Sequence, residues 1–382
     1  MKVALFANTD WYIWNFRRNL VETLRRQNWE VCLVTPPGSY HERFHALGAK
    51  WLELPMCRDG ANPVQELMVL ASLWSIYRRE HPDIVHHFTT KAVIHGSLAA
   101  SLAGINVRVN AIAGLGYIFS SDALKARLLR PVVLFLLRVA LSGKSSALIL
   151  QNPDDAEALT RSGVVQSCRT RLIRGSGVDT ACFASAPRPA NDVCRVLLAS
   201  RLLWSKGIGE YVAAARALKS DLPVEFLLAG APDTGNPDSI PDEQLDAWRA
   251  EGHVRFLGHV DDMSALLQTV DILVLPTKYA EGVPRVLLEG AAASAALIAT
   301  DRPGCREVVE HNVSGLLVPE GDVSALVAAL RTLILDPDAR VRLGQAARRK
   351  IEMEFEESKV VEATIAVYHQ LLSARKTAGD AY

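Results

Sequence analysis

Short apolar runs recur along the chain and alternate with longer stretches in which apolar residues return every three or four positions. The first pattern is that of strands buried on both faces of a parallel sheet, the second that of amphipathic helices. In the first half, strands are predicted at 2–8, 30–35, 50–55, 83–88, 107–113 and 146–152, with helices around 14–27, 63–80, 91–103 and 123–142. A turn-rich boundary follows at 175–192, with "GSGVD" and "APRPAND". The rhythm then restarts, with strands at 194–200, 224–230, 253–258, 271–276, 296–300 and 315–319. Helices are predicted near 207–219, 241–250, 262–268, 284–294 and 322–335, and a last one at 357–374. Regular βα alternation implies doubly wound α/β sheets, and two such series imply two Rossmann-like domains facing a central cleft.

Length agrees, since 382 residues exceed what one ordinary core organises. Lys plus Arg and Asp plus Glu both number 42, so no global field argues for nucleic acid. Six cysteines without a C-x-x-C pair read as reduced, buried thiols of a cytoplasmic protein. The opening "MKVALFAN" has the pattern of a buried strand, not of a signal peptide. The longest apolar run, "PVVLFLLRVAL" at 131–141, is too short to span a bilayer. Lys125, Arg127, Arg130, Arg138 and Lys144 frame it, so it suits either a core helix or one lying in a membrane interface.

In open α/β sheets ligands bind beyond the carboxyl ends of the strands, so the chemistry is sought there. After 194–200 stands "RLLWSKG", where Arg201 and Lys206 precede a helix. A forked guanidinium, an ammonium and helix N–H groups suit a diphosphate. After 271–276 stands "EGVPRVLLEG", with Glu281 in the loop entering a helix and Glu289 inside that helix. Carboxylates accept hydrogen bonds from hydroxyls, so the pair suits a sugar or a ribose. In the first half, "TDWYIWNFRRN" crowds Trp11, Tyr12 and Trp14 beside Arg17 and Arg18, which suits sugar stacking, lipid-phosphate contact or interdomain packing. Gly114 and Gly116 of "GLGYIF" permit close backbone approach to a ligand or a tight turn. His86 and His87 end the fourth strand and His95 follows, as core histidines or as catalytic ones. No H-E-x-x-H or Cys/His cluster points to a metal, and the D-x-D at Asp336–Asp338 lies in a turn between late helices.

Together, "RLLWSKG", "FLGHVDD", "LPTKYAEGVPRVLLEGAAA", "ATDRPGCREVV" and "NVSGLLVPEGD" resemble the retaining GT-B glycosyltransferases of family GT4. "FTTKAVIHGSLAASLAG", "AGLGYIF" and "LQNPDDAEAL" are similar to the bacterial branch that extends polyprenyl-diphosphate-linked glycans. The resemblance covers nearly the whole chain. It implies an acceptor-binding domain at 1–175, a nucleotide-sugar-binding domain at 176–356, and a helix at 357–382 that crosses back to the first. Arg201 and Lys206 would hold the nucleotide diphosphate. Glu281, with the backbone of Gly282 and Val283 and neighbouring Arg285 and Val286, would hold the donor sugar, and Glu289 the ribose. Gly230, His259 and Val260 would border the base. On the acceptor side stand Asn8, Asp10, Trp11, Tyr12, Arg18, His86, Lys91, Gly114 and Gly116. Two departures stand out: the histidine many members carry after the fifth strand is replaced by "AGLGYIF", and E-A-M-x-x-G by "EGAAASA".

The resemblance implies transfer of a sugar, a hexose or N-acetylhexosamine, from a UDP-sugar to a polyprenyl-diphosphate-linked glycan. It implies no metal or other cofactor, and peripheral contact with the inner face of an anionic membrane. A UDP-sugar epimerase of the same fold and a non-catalytic sugar-nucleotide sensor are the competing readings.

Overall fold

The computed structural model describes residues 1–56, 62–114, 124–143, 145–185, 193–233, 235–279 and 281–379, with backbone alone at 124–126 and 376–379. The chain forms two compact units, one of Met1–Ser176 with Ser358–Tyr382 and the other of Gly177–Glu357.

Unit 1 holds a seven-stranded parallel sheet in the order β3-β2-β1-β4-β5-β6-β7. Its strands are β1 (Lys2–Phe6), β2 (Glu30–Thr35), β3 (Lys50–Glu53), β4 (Ile84–Phe88), β5 (Arg108–Ile112), β6 (Ser146–Leu150) and β7 (Thr170–Leu172). The helices are α1 (Asp10–Arg26), α2 (Pro63–Glu80), α3 (Thr90–Leu102), α4 (Leu124–Ala140) and α5 (Pro153–Arg161). Unit 2 repeats the plan with six parallel strands in the order β10-β9-β8-β11-β12-β13. These are β8 (Cys194–Ala199), β9 (Val224–Ala229), β10 (Val254–Gly258), β11 (Ile272–Leu275), β12 (Ala296–Thr300) and β13 (Leu316–Val318). Between and after them run α6 (Ile208–Leu218), α7 (Asp242–Glu251), α8 (Met263–Leu267), α9 (Arg285–Ala292), α10 (Cys305–Val308), α11 (Val323–Leu335) and α12 (Pro337–Glu354). In both units the first strand lies centrally and the order reverses beside it, the doubly wound arrangement.

The last helix, α13 (Glu357–Gly379), belongs to unit 1 from Ser358 onward. Its Val360, Val361, Ile365, Val367 and Tyr368 enter the core formed by α1 with β1, β2, β4 and β5. Each apolar side chain so buried contributes about 1.5–3 kcal/mol, enough to hold a terminal helix in place.

Several elements differ from the sequence expectation. Helix α1 begins at Asp10 because the Thr9 hydroxyl accepts the Tyr12 N–H at 3.2 Å, so Trp11 and Tyr12 join Trp14 on a helix whose predicted start lies only near residue 14. Strand β7 and helices α5, α10 and α12 carry no strong apolar signal. α12 buries only Ala339, Leu343, Gly344, Ala347 and Ile351 beneath a charged outer face. The cysteine expectation is corrected too: Cys32, Cys194 and Cys305 are buried, but Cys168 and Cys182 are exposed. Cys57 lies outside the described residues.

Candidate functional site

All strands of unit 2 are parallel, so the segments leaving β8, β9, β11 and β12 emerge on one edge of its sheet. Beyond β8 the chain turns through Trp204–Lys206 and enters α6 at Ile208. Arg201, half-exposed, donates to the Asp233 carboxylate beyond β9 at 2.5 Å. Lys206, largely buried, pairs with the carboxylate of Glu281 beyond β11, and its ammonium lies 5.1 Å from the centre of the Tyr279 ring.

The loops carrying Lys206 and Glu281 are stitched together. The Lys278 N–H donates to the Ser205 carbonyl at 2.7 Å, and the buried Thr277 hydroxyl donates to the same carbonyl at 3.2 Å. Thr277 in turn accepts the Tyr279 N–H at 3.1 Å. Lys278 pairs with Glu210 on α6, and Ser205 with Asp238. A cation and a carboxylate are thereby fixed at adjacent strand ends.

Glu289 sits on the second turn of α9, largely buried, and accepts from Arg285 Nε at 2.8 Å. Burial pushes its carboxyl pKa up, while the Arg285 charge pulls it back. Gly282 and Val283 are buried and Val286 packs against the same core. A further loop closes on this backbone. Gly304, at φ +81°, lies so close that a Cβ there would stand 2.1 Å from the Gly282 carbonyl oxygen. Gly230 is equally constrained, at φ +144° with the Ser200 carbonyl 1.8 Å from any Cβ. Its N–H donates to Gly258 at 2.7 Å, which ties it to the turn bearing His259 and Val260. His259 is exposed, 3.4 Å from the Asp261 carboxylate. Asp233, Asp238, Lys278 and Tyr279 were not singled out in the sequence. The cue available was the Asp-rich "PDTGNPDS" directly after a strand.

In unit 1 the candidates separate. Asp10 is buried, its carboxylate accepting the N–H groups of Trp11 at 2.7 Å, Tyr40 at 2.6 Å and His41 at 2.9 Å. Asn8, Asp10 and Trp11 line one pocket. Tyr12 turns inward, its hydroxyl 3.2 Å from buried Arg17 and its ring 5.6 Å from Phe88. Arg18 is exposed, 3.7 Å from Glu22. His86 is buried, with Nδ1 2.6 Å from the Tyr368 hydroxyl of α13 and Nε2 without a hydrogen-bond partner among the described residues. Burial drives its pKa well below the usual range, and the Arg17 charge adds to this. His87 lies between Asn110 at 2.8 Å and Tyr77 at 3.1 Å, and burial lowers its pKa to about 4. Both imidazoles are therefore held neutral inside the unit. Lys91 and His95 share Glu66, at 2.8 and 2.9 Å. Gly114 follows β5 at φ +85°, while Gly116 and Lys144 lie outside the described residues, as does the side chain of Lys125.

Helix α4 exposes Leu128, Leu129, Val132, Phe135 and Val139 and buries Leu137. It is therefore a core helix on one side only. No helix among the described residues is long and apolar enough to cross a membrane.

Residues 187–350 match the family "Glycosyl transferases group 1", and residues 2–152 match "Glycosyl transferase 4-like". The chain is 25% identical to the N,N'-diacetylbacillosaminyl-diphospho-undecaprenol alpha-1,3-N-acetylgalactosaminyltransferase of Campylobacter jejuni, over 97% of this chain and 99% of the relative. It is 24% identical to the capsular polysaccharide biosynthesis glycosyltransferase CapM of Staphylococcus aureus, over 93% of each. Among solved structures, sucrose-phosphate synthase of Thermosynechococcus elongatus superposes with a TM-score of 0.81 at 20% identity, covering 98% of this chain and 100% of that one. Anabaena HepE in complex with UDP and glucose superposes at 0.78 and 18% identity, covering 97% and 99%.

Proposed function

Because this chain belongs to glycosyltransferase family GT4, with the two-domain GT-B fold, we propose that unit 2 binds a UDP-sugar and that its sugar passes, with retention, to a polyprenyl-diphosphate-linked glycan held by unit 1. The observation that carries this is the stitched junction of Lys206 and Glu281, supported by the complexes of HepE with UDP and the lipid-linked acceptor named for the Campylobacter relative. Arg201 and Lys206 face the diphosphate, Glu281 with the backbone of Gly282 and Val283 the donor sugar, and Glu289 the ribose hydroxyls. Gly230 and the His259–Val260 turn border the base.

As the bond from the sugar to the diphosphate breaks, negative charge gathers on the departing oxygen. Two fixed cations stabilise that charge without needing to reorganise, so the reaction proceeds without a metal. Partners of the cations already stand in place: Asp233 and Glu281 hold Arg201 and Lys206 in position before the substrate arrives. The exposed apolar face of α4, with Arg127 and Arg130 on the same helix, supports peripheral contact of unit 1 with an anionic membrane, where such an acceptor would reside.

The test is a panel of nucleotide sugars offered with a short polyprenyl-diphosphate glycan and read by mass spectrometry, in EDTA. Addition of one sugar from a UDP donor is expected. Free UDP-sugar isomerised without transfer would indicate an epimerase, and binding without turnover a sensor.

A further inference from the structure

Beyond the C-terminal ends of β1, β2 and β3, unit 1 carries a pocket of 370 Å3 lined by Asn8, Asp10, Trp11, Gly38 and Tyr40, among others. Its wall is fixed in advance. The Asp10 carboxylate gathers the N–H groups of Tyr40 and His41, and Gly38 passes so close that any Cβ would stand 2.2 Å from Asp10 Oδ1. A preformed wall avoids the cost of ordering a loop on binding. At the pocket, Trp11 leaves 45% of its surface in water although the core behind α1 is otherwise closed. An exposed indole beside a hollow that mixes apolar residues (Pro36, Pro37, Met56) with polar ones (Asn8, Ser39) is a stacking surface for the C–H face of a pyranose ring.

The region beside Tyr40 is cationic. The Arg43 guanidinium lies 5.0 Å from the centre of the Tyr40 ring and 5.6 Å from that of Trp14, and the Arg18 guanidinium also lies 5.6 Å from Trp14. Glu22 reaches Arg18 only at 3.7 Å, and among the described residues no carboxylate pairs with Arg43. Arg43 is thus positioned by aromatic faces, and Arg18 by Trp14 together with a long contact from its Nε to Glu22, which leaves N–H donors of both forks to a ligand. The negative charge nearest the pocket, that of Asp10, is already met by three backbone N–H groups.

We propose that this pocket takes a glycosyl diphosphate, with the sugar ring on Trp11 and the diphosphate across Arg18 and Arg43. The proposal rests on the glycosyltransferase reading, in which the ligand is the first sugar and diphosphate of the lipid-linked acceptor. It makes the diphosphate, and not the lipid tail, the feature that unit 1 recognises beside the sugar.

The test compares two acceptors, an N-acetylhexosamine linked through diphosphate to a farnesyl chain and the methyl glycoside of the same sugar. In wild type the diphosphate acceptor has the lower KM. Arg43→Ala raises that KM by about tenfold, the scale of one charge-assisted hydrogen bond. Arg18→Ala/Arg43→Ala removes the preference, and Trp11→Ala weakens both acceptors. A double variant that keeps the wild-type preference overturns the proposal. So does one that loses affinity for UDP while keeping it for the farnesyl acceptor, since the cations would then serve the donor. If wild type transfers no sugar from any donor, the glycosyltransferase reading has failed. Equilibrium binding of the farnesyl compound to wild type and double variant then decides the pocket alone.

Discussion

The segments leaving β8, β9 and β11 in unit 2 end in charges that pair across neighbouring strand ends, Arg201 with Asp233 and Lys206 with Glu281. In unit 1 the segment leaving β1 carries aromatic rings instead, and β4 itself carries imidazoles that pack inward, His86 against Tyr368 and His87 against Asn110 and Tyr77. The strand order around the central strands is the same in both sheets. One topology therefore carries two kinds of edge, and the chemistry resides in the loop residues and not in the fold. Unit 2 presents fixed charge suited to a charged leaving group. Unit 1 presents stacking surfaces with cations at one rim.

The largest effect expected from this difference is on turnover. Lys206→Ala or Arg201→Ala should lower kcat by about 100-fold or more, the scale of one lost transition-state charge contact. Near wild-type rates at saturating donor would erase the distinction between the two edges. Next is the backbone that supports Glu281. Gly304→Ala forces an L side chain into φ +81° against the Gly282 carbonyl, which costs about 1–3 kcal/mol of strain. Weaker donor binding and a lower Tm are expected, and unchanged values for both would contradict the packing described.

Acid should act on unit 1. His86 and His87 have folded pKa values below that of the unfolded chain, so their contribution is present above about pH 6.5 and is lost as pH falls toward their folded values. Each imidazole removes about 1.4 kcal/mol per pH unit in that window. Asp155, raised to about 6 by burial, opposes them, because the folded state keeps its proton where the unfolded state has lost it. Within unit 1, two imidazoles against one carboxyl give a net loss, so the Tm of that unit should drop between about pH 6.5 and 5. His87→Gln should flatten the slope, and an unaltered slope would assign the acid lability elsewhere.

The smallest effect concerns α4. Arg127→Glu with Phe135→Ser should reduce sedimentation with anionic liposomes, each basic residue at such a surface contributing roughly 1 kcal/mol. Equal sedimentation of variant and wild type would leave α4 as a core helix with an apolar outer face.

Much of this contrast is visible in the sequence, and unevenly. Twelve of the thirteen strands are visible in the sequence, the central ones most plainly because strands buried on both faces read as continuous apolar runs. The edge strand β7, three residues long and partly exposed, does not. The charged edge of unit 2 is legible from "RLLWSKG" and "EGVPRVLLEG", because Arg, Lys and Glu directly after apolar strands have few structural reasons to be there. Their partners are not, since Asp233 and Thr277 acquire meaning only when loops distant in sequence lie side by side. In unit 1, "HH" near the end of a strand suggests chemistry as readily as packing. Only the closure of Tyr368, from a helix 282 residues further along, shows His86 inside a core. Arg43, in a 3₁₀ turn with no apolar period, carries no sequence signal at all.

The central claim is that the nucleotide diphosphate is held by the charged edge of unit 2. The most direct measurement is a calorimetric titration of UDP into wild type, Lys206→Ala, Arg201→Ala and Arg43→Ala. The account predicts that UDP binding weakens by about tenfold or more in the two unit 2 variants, as for a lost charge-assisted hydrogen bond, and is unchanged in Arg43→Ala. UDP affinity that survives both unit 2 substitutions, or that falls with Arg43→Ala, would contradict it.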